Sequence, residues 1–325
     1  PAGLGRQRAG GPFASRPTPM HRRTFLQTAA LAPLARAGAP APFGMTLALA
    51  PGSIGVTVQS QRELNALAAR HGFESVEPRG TELAGLAAGQ VDEVVADLRA
   101  KRLQWAAAGL TVDFRKDEAT FREGLGKLPA IAAALRRAGA DRVGTWLSPS
   151  HAELTYRANF DRHAARLREI ARVLGEHGLR LGLEYVGTQL LLVGQRYPFV
   201  HTLAETRELI AAIGTGNVGL VLDTWHWWTA GDTAEELRAL RAEDVVSVDL
   251  NDAPAGVPKA LQKDNERELP LATGVIPAAP FVGALRAMGY AGPARCEPFN
   301  AKLNALDNDA ACAAVSQHGE MADHW

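Results

Sequence analysis

The sequence predicts an α/β protein folded as a (β/α)8 TIM barrel, and three observations predict it. Eight strand-helix alternations follow one another over roughly residues 46–300, the pattern of a parallel barrel. Three of the apolar runs end in a carboxylate, at the strand end where α/β folds bind ligands. The loop after the first strand, PGSIG at 51–55, does not match GxGxxG, which argues against a doubly wound nucleotide-binding sheet.

The first strand and its loop are TLALAPGSIGV at 46–56, followed by an amphipathic helix, QRELNALAARHG, with Gly72 as its stop. FESVEP is the second strand and ends at Glu77, which can reach the barrel mouth or form a loop salt bridge. A helix over 90–101 precedes the third strand, LQWAAAGL. A helix over 121–138 precedes the fourth, RVGTWLSPS, and a long helix over 156–177 precedes the fifth, RLGLEYVG. The sixth strand, VGLVLDTWHWW, follows a helix over 203–213. Helices over 233–242 and 276–288 flank DVVSVDLNDAP, the seventh strand, and PARCEPFN is the eighth. Residues 46–325 are thus expected to form one barrel with a C-terminal helical extension.

Composition narrows the function. The chain has 325 residues, 46% of them apolar, with 35 basic and 35 acidic residues and no net formal charge. That balance gives nucleic acid no electrostatic footing, and no apolar stretch is long enough for a membrane span. A small neutral or weakly charged substrate fits better. With two cysteines there is no disulfide framework and no cysteine zinc site. Cys296 reads as a small buried apolar residue. Homo-oligomerisation stays open.

Residues 1–45 read as a signal-like or disordered segment rich in Pro, Gly, Ala and Arg. Arg22 and Arg23, then Phe25, Leu26 and an alanine-leucine run, resemble a twin-arginine export signal, with small residues at 37–41 for cleavage. The expectation is export to the periplasm by that signal, or a cytoplasmic protein if the segment is only a basic tail. Met20 is a candidate start.

Side chains alternate faces along a strand, and this parity collects the acids. Glu184 shares a face with Gly182 while Leu181 and Leu183 point to the helices. Asp223 shares a face with Val221, and Glu297 with Arg295. Ser247, Asp249 and Asn251 lie on one face of their strand, with Val248, Leu250 and Asp252 on the other, and these acid-bearing faces are taken as the barrel interior. Glu184, Asp223, Asp249 and Glu297 therefore converge at the mouth, where unscreened carboxylates raise one another's pKa and a divalent cation removes the strain. A single acid at a strand end is more often a helix cap or ion-pair partner; four in equivalent places are not readily coincidence. His226, three residues beyond Asp223, is either a packed core histidine or a substrate ligand, and its position favours the ligand. Trp225, Trp227 and Trp228 read as packing, with one offered as an apolar wall for a sugar face.

The ordered motifs LGLEYVG, GLVLDTWHWW, VVSVDLNDAP, DNERELP and GYAGPARCEPF resemble the xylose isomerase-like TIM barrels, the sugar phosphate isomerase/epimerase group. The resemblance implies that Glu184, Asp223 and Glu297 are metal ligands. It implies that Glu184 and Glu297 double as acid/base groups, and that His226 and Arg267 bind substrate oxygens. Many relatives carry histidine where this chain has Asp249, so Asp249 or Asn251 is expected to complete the set. Oxygen-only donors favour manganese or magnesium over zinc. The expected activity is isomerisation or epimerisation of a sugar, sugar phosphate or hydroxy-ketone. The alternatives are a polyol or keto-acid dehydratase and a non-catalytic sugar-binding barrel. A nuclease would need strand-end histidines that are scarce here.

Overall fold

The computed structural model describes residues 44–322, so the twin-arginine reading lies outside the described residues. In chain order the elements are β1 (Thr46–Leu49), α1 (Gln61–Arg70), β2 (Ser75–Val76), α2 (Gly80–Gly85), α3 (Ala88–Ala100), β3 (Gln104–Trp105) and β4 (Ala108–Gly109). Next come α4 (Glu118–Ala138), β5 (Arg142–Trp146), β6 (Ser150–His151), α5 (Tyr156–Glu176), β7 (Arg180–Glu184), α6 (Gln189–Leu192), β8 (Tyr197–Pro198) and α7 (Leu203–Ile213). The second half holds β9 (Val218–Asp223), α8 (Thr224–Ala230), α9 (Ala234–Arg238), β10 (Val245–Leu250), α10 (Ala278–Ala287), β11 (Pro293–Cys296), α11 (Ala301–Asn304) and α12 (Asn308–Ala322).

Nine of these strands form one parallel sheet in the order β3-β2-β1-β11-β10-β9-β7-β5-β4. Its two ends, β3 and β4, are halves of a single run interrupted at Ala106 and Ala107. β3 pairs with β2 and β4 with β5, so that run joins both edges and the sheet curls into a ring of eight staves. The expected barrel is present, with its third strand broken in the middle.

Outward-facing strand residues pack on the helices. Leu181 and Leu183 join Ile131 of α4 and Leu167 of α5 in one apolar cluster, while Leu222, Val248 and Leu250 join Trp225 and Phe281 in another. Cys296 lies on this outer face, a free cysteine whose thiol burial pushes up to about 12, so it behaves as an apolar filler. Ser60, Asp117, Thr155 and Thr202 each accept a backbone N–H at the start of α1, α4, α5 and α7. The Asp117 cap starts α4 three residues before the expected position.

Two sequence expectations change. The segment TWHWW does not continue the sixth strand: Asp223 ends β9 and caps α8, which carries all three tryptophans. The expected helix over 233–242 is cut to α9, because a 3-10 turn over Ala242–Asp244 leads directly into β10.

Candidate active site

Four strand ends deliver the acids. Glu184 is the last residue of β7, Asp223 the last of β9, Asp249 lies in β10, and Glu297 directly follows β11. One oxygen from each lies within 4.8 Å of the others. All four are buried, between 0% and 7% exposed. A cavity of about 710 Å³ opens above them, with Trp146 and Phe299 on its aromatic wall. Trp225, Trp227 and Trp228 are not part of its lining; Trp227 packs on Phe281.

Each carboxylate has its own surroundings. Asp223 is held hardest: Oδ1 accepts from the Trp225 and His226 backbone N–H and from Asn251 Nδ2, and Oδ2 from Asn251 Nδ2 and Arg267 Nη1. Burial opposes its charge, but the Arg267 guanidinium and these donors hold its carboxyl below the ordinary range. Asn251 also accepts the Glu297 backbone N–H at 3.1 Å, so its amide braces two acids.

Asp249 and Glu297 share Arg295. Its Nε and Nη2 reach the two Asp249 oxygens at 2.6 and 2.8 Å, and Nη2 reaches Glu297 Oε1 at 2.8 Å. Glu297 Oε2 accepts from Arg267 at 3.2 Å. Burial still pushes Glu297 up to about 8, and raises Asp249 above its usual range. Glu184 differs: its Oε1 is buried with no hydrogen-bond partner. Burial and the neighbouring Glu297, Asp249 and Asp223 charges push its carboxyl well above the ordinary range.

Arg267 is 1% exposed and spends its donors inside the site. Besides Asp223 and Glu297 it bonds the Asp264 carbonyl, Asp264 Oδ1 and His226 Nε2 at 2.8, 3.0 and 3.1 Å. Its guanidinium lies 5.0 Å from the Phe299 ring centre, and Phe299 has φ +41, a left-handed backbone uncommon for a bulky residue. His226 lines the cavity from α8, with Nδ1 facing the Gly187 N–H at 3.3 Å. Burial lowers its pKa to about 4 and keeps the ring neutral, so only one of its two nitrogens accepts from these N–H donors. A Cβ on Gly187 would come within 2.4 Å of the His226 carbonyl, so only glycine lets α8 pack this close.

Two groups gain a place that parity did not give them. Arg295 was legible as the face-mate of Glu297, but no role followed from that. Glu77 lines the cavity, and burial raises its carboxyl pKa. The neighbouring Arg79 pairs with Glu82 instead, at 2.6 Å.

In charge and spacing, these residues fit a divalent cation. Four buried carboxylates face two guanidiniums, Arg267 and Arg295, and the excess negative charge calls for a cation or protons. Glu184 Oε1, buried without a donor, is the clearest open ligand position. Without a cation, Glu297 stays protonated up to about pH 8 when folded but only to the ordinary carboxyl range when unfolded. The folded state then binds more protons across that window, so stability falls as pH rises through it. In cation-free urea titrations from about pH 5 to about pH 8, wild type should lose up to ~1.4 kcal/mol per pH unit relative to Glu297→Gln. Parallel pH profiles for the two proteins would refute the assignment.

Residues 66–318 match the family model for xylose isomerase-like TIM barrels, and the chain belongs to that family. It is 32% identical to a solved xylose isomerase domain protein from Alicyclobacillus acidocaldarius, with a TM-score of 0.74 over 86% of this chain and 97% of that one. The fold also matches the solved IolI protein with a bound zinc atom, at 18% identity and a TM-score of 0.71, over 86% of this chain and 98% of that one. Among curated relatives, an inosose isomerase of Halalkalibacterium halodurans is 24% identical over 145 residues, 45% of this chain and 48% of the relative. The chain therefore spans about half the length of that relative. Among the described residues no helix is long and apolar enough to cross a membrane.

Proposed function

We propose that this protein is a metal-dependent isomerase or epimerase of a small carbohydrate-like hydroxy-ketone, working by proton transfer through an enediolate. The buried acid cluster, with Glu184 Oε1 unpartnered in one cavity with Glu297, is the observation that supports it most. The inosose isomerase likeness supports the substrate class.

Glu184, Asp223 and Glu297 would hold a divalent cation, which would polarise the substrate carbonyl and draw protons off these carboxyls. Manganese or magnesium suits the oxygen-only donors; the zinc of the IolI structure makes metal competition the deciding measurement. Glu184 has an oxygen free to take the proton beside the carbonyl; that proton passes to Glu297, whose carboxylate oxygen lies within 4.8 Å, and Glu297 delivers it to the neighbouring carbon or to the same one. One oxygen of each carboxylate lies within 4.8 Å of the other, a spacing that suits transfer between adjacent carbons. Arg267 fixes Asp223, Glu297 and His226 in place and leaves the neutral His226 ring at the cavity wall.

Proton abstraction leaves an isotope signature. Ketoses and inososes incubated in deuterium oxide with Mn²⁺ should take up solvent deuterium at the carbon next to the carbonyl, read by NMR. Loss of water instead would assign a dehydratase. No exchange across the panel with Mn²⁺, Mg²⁺ or Zn²⁺ would end the proposal.

A further inference from the structure

Asp249 lies in the ligand cluster, yet its geometry is that of an ion-pair partner. β10 and β11 run side by side with Asp249 and Arg295 directly opposite in register, so both side chains rise from the same point on the barrel's inner face. Arg295 spans Asp249 edge-on, one N–H to each oxygen, the bidentate arrangement that guanidinium and carboxylate planes favour. The Asp249 side chain has no exposure, whereas Arg295 is 31% exposed toward the cavity it lines. Seen from the cavity, this layer of the wall shows a cation in front of an acid. A divalent ion that took an Asp249 oxygen would sit beside the Arg295 charge, and the buried position offers little solvent to screen the repulsion.

We propose that Asp249 is the anchor of Arg295 and not a metal ligand, so that the cation rests on Glu184, Asp223 and Glu297 alone and Arg295 holds its affinity down. This inference rests on the metal reading of the site, but its test does not depend on turnover. Asp249 fixes where the guanidinium stands, and Arg295 in turn holds one oxygen of Glu297.

Mn²⁺ binding to the purified protein, measured by calorimetry, tests it. The charge-neutral pair Asp249→Asn with Arg295→Gln should bind Mn²⁺ within threefold of wild type. Arg295→Met should bind it at least tenfold more tightly, since it removes a positive charge and frees three carboxylate oxygens, two on Asp249 and one on Glu297. A tenfold or greater loss in the double variant, or no gain in Arg295→Met, would overturn the proposal. So would the absence of Mn²⁺ binding in wild type and both variants. Should Arg295→Met not fold, wild-type crystals soaked in Mn²⁺ decide by anomalous scattering. The expected map places Mn²⁺ on Glu184, Asp223 and Glu297 with the Asp249–Arg295 pair intact. Mn²⁺ bonded to Asp249 refutes it.

Discussion

Glu184→Gln and Glu297→Gln are each expected to lower turnover by ~10²–10⁴-fold, the range typical of a lost acid/base group. Glutamine keeps the size and one oxygen acceptor of each side chain, so the barrel should fold. Glu184 has no hydrogen-bonded partner on Oε1 to lose, which makes its substitution the cleaner one. Glu297 accepts from two arginines, and an amide there turns one acceptor into a donor. Part of its loss should therefore come from disturbed Arg295. The measurement is kcat on the substrate that shows deuterium exchange, beside Mn²⁺ affinity. Full activity in both variants would remove the acid/base assignment.

Arg267→Met should be the most destabilising of these substitutions, by about 3–5 kcal/mol in urea unfolding, the usual cost of stripping one partner from a buried ion pair. The side chain is buried to 1% exposure and bonds Asp223, Glu297, Asp264 and His226. Its removal leaves Asp223 and Glu297 with less compensation inside a low-dielectric site. Added Mn²⁺ should recover part of the loss, because a cation bound to the folded state restores the missing charge and adds its binding free energy. A loss below about 1 kcal/mol, the scale of an exposed ion pair, would mean that Arg267 is not the brace of this site. The resemblance assigned Arg267 to substrate oxygens; in the structure its donors already point at protein groups.

The barrel was legible because buried strands read as unbroken apolar runs, and glycine stops and polar caps punctuate the helices between them. Parity found the acids for an equally simple reason: Leu181, Leu183 and Leu222 must face the helices, so their neighbours Glu184 and Asp223 must face inward. Partners distant in sequence were not legible. Arg295 meets Asp249 across 46 residues of sequence, and only the lateral register of β10 on β11 brings them together. The TWHWW segment misled for a different reason. Its aromatic residues favour strands, but Asp223 caps the backbone N–H groups of Trp225 and His226, and tertiary packing of Trp225 and Trp227 then supports α8. The break at Ala106 and Ala107 left no mark in composition, since alanine suits both the ring and the gap.

The interrupted stave lies in the arc of the barrel that does not carry the acid cluster. The arc from β7 to β11 carries Glu184, Asp223, Asp249, Glu297, Arg295 and the helix that bears His226. The opposite arc, running through β1, β2 and the interrupted stave, lends the cavity Ala48, Ala50, Glu77 and the stretch 106–110. Two-residue pairings secure the interrupted stave on either side. The acid cluster and most of the cavity's small apolar lining thus stand on different staves. Substitutions at 106–110 are expected to reshape the cavity lining while the spacing of the four carboxylates stays as it was.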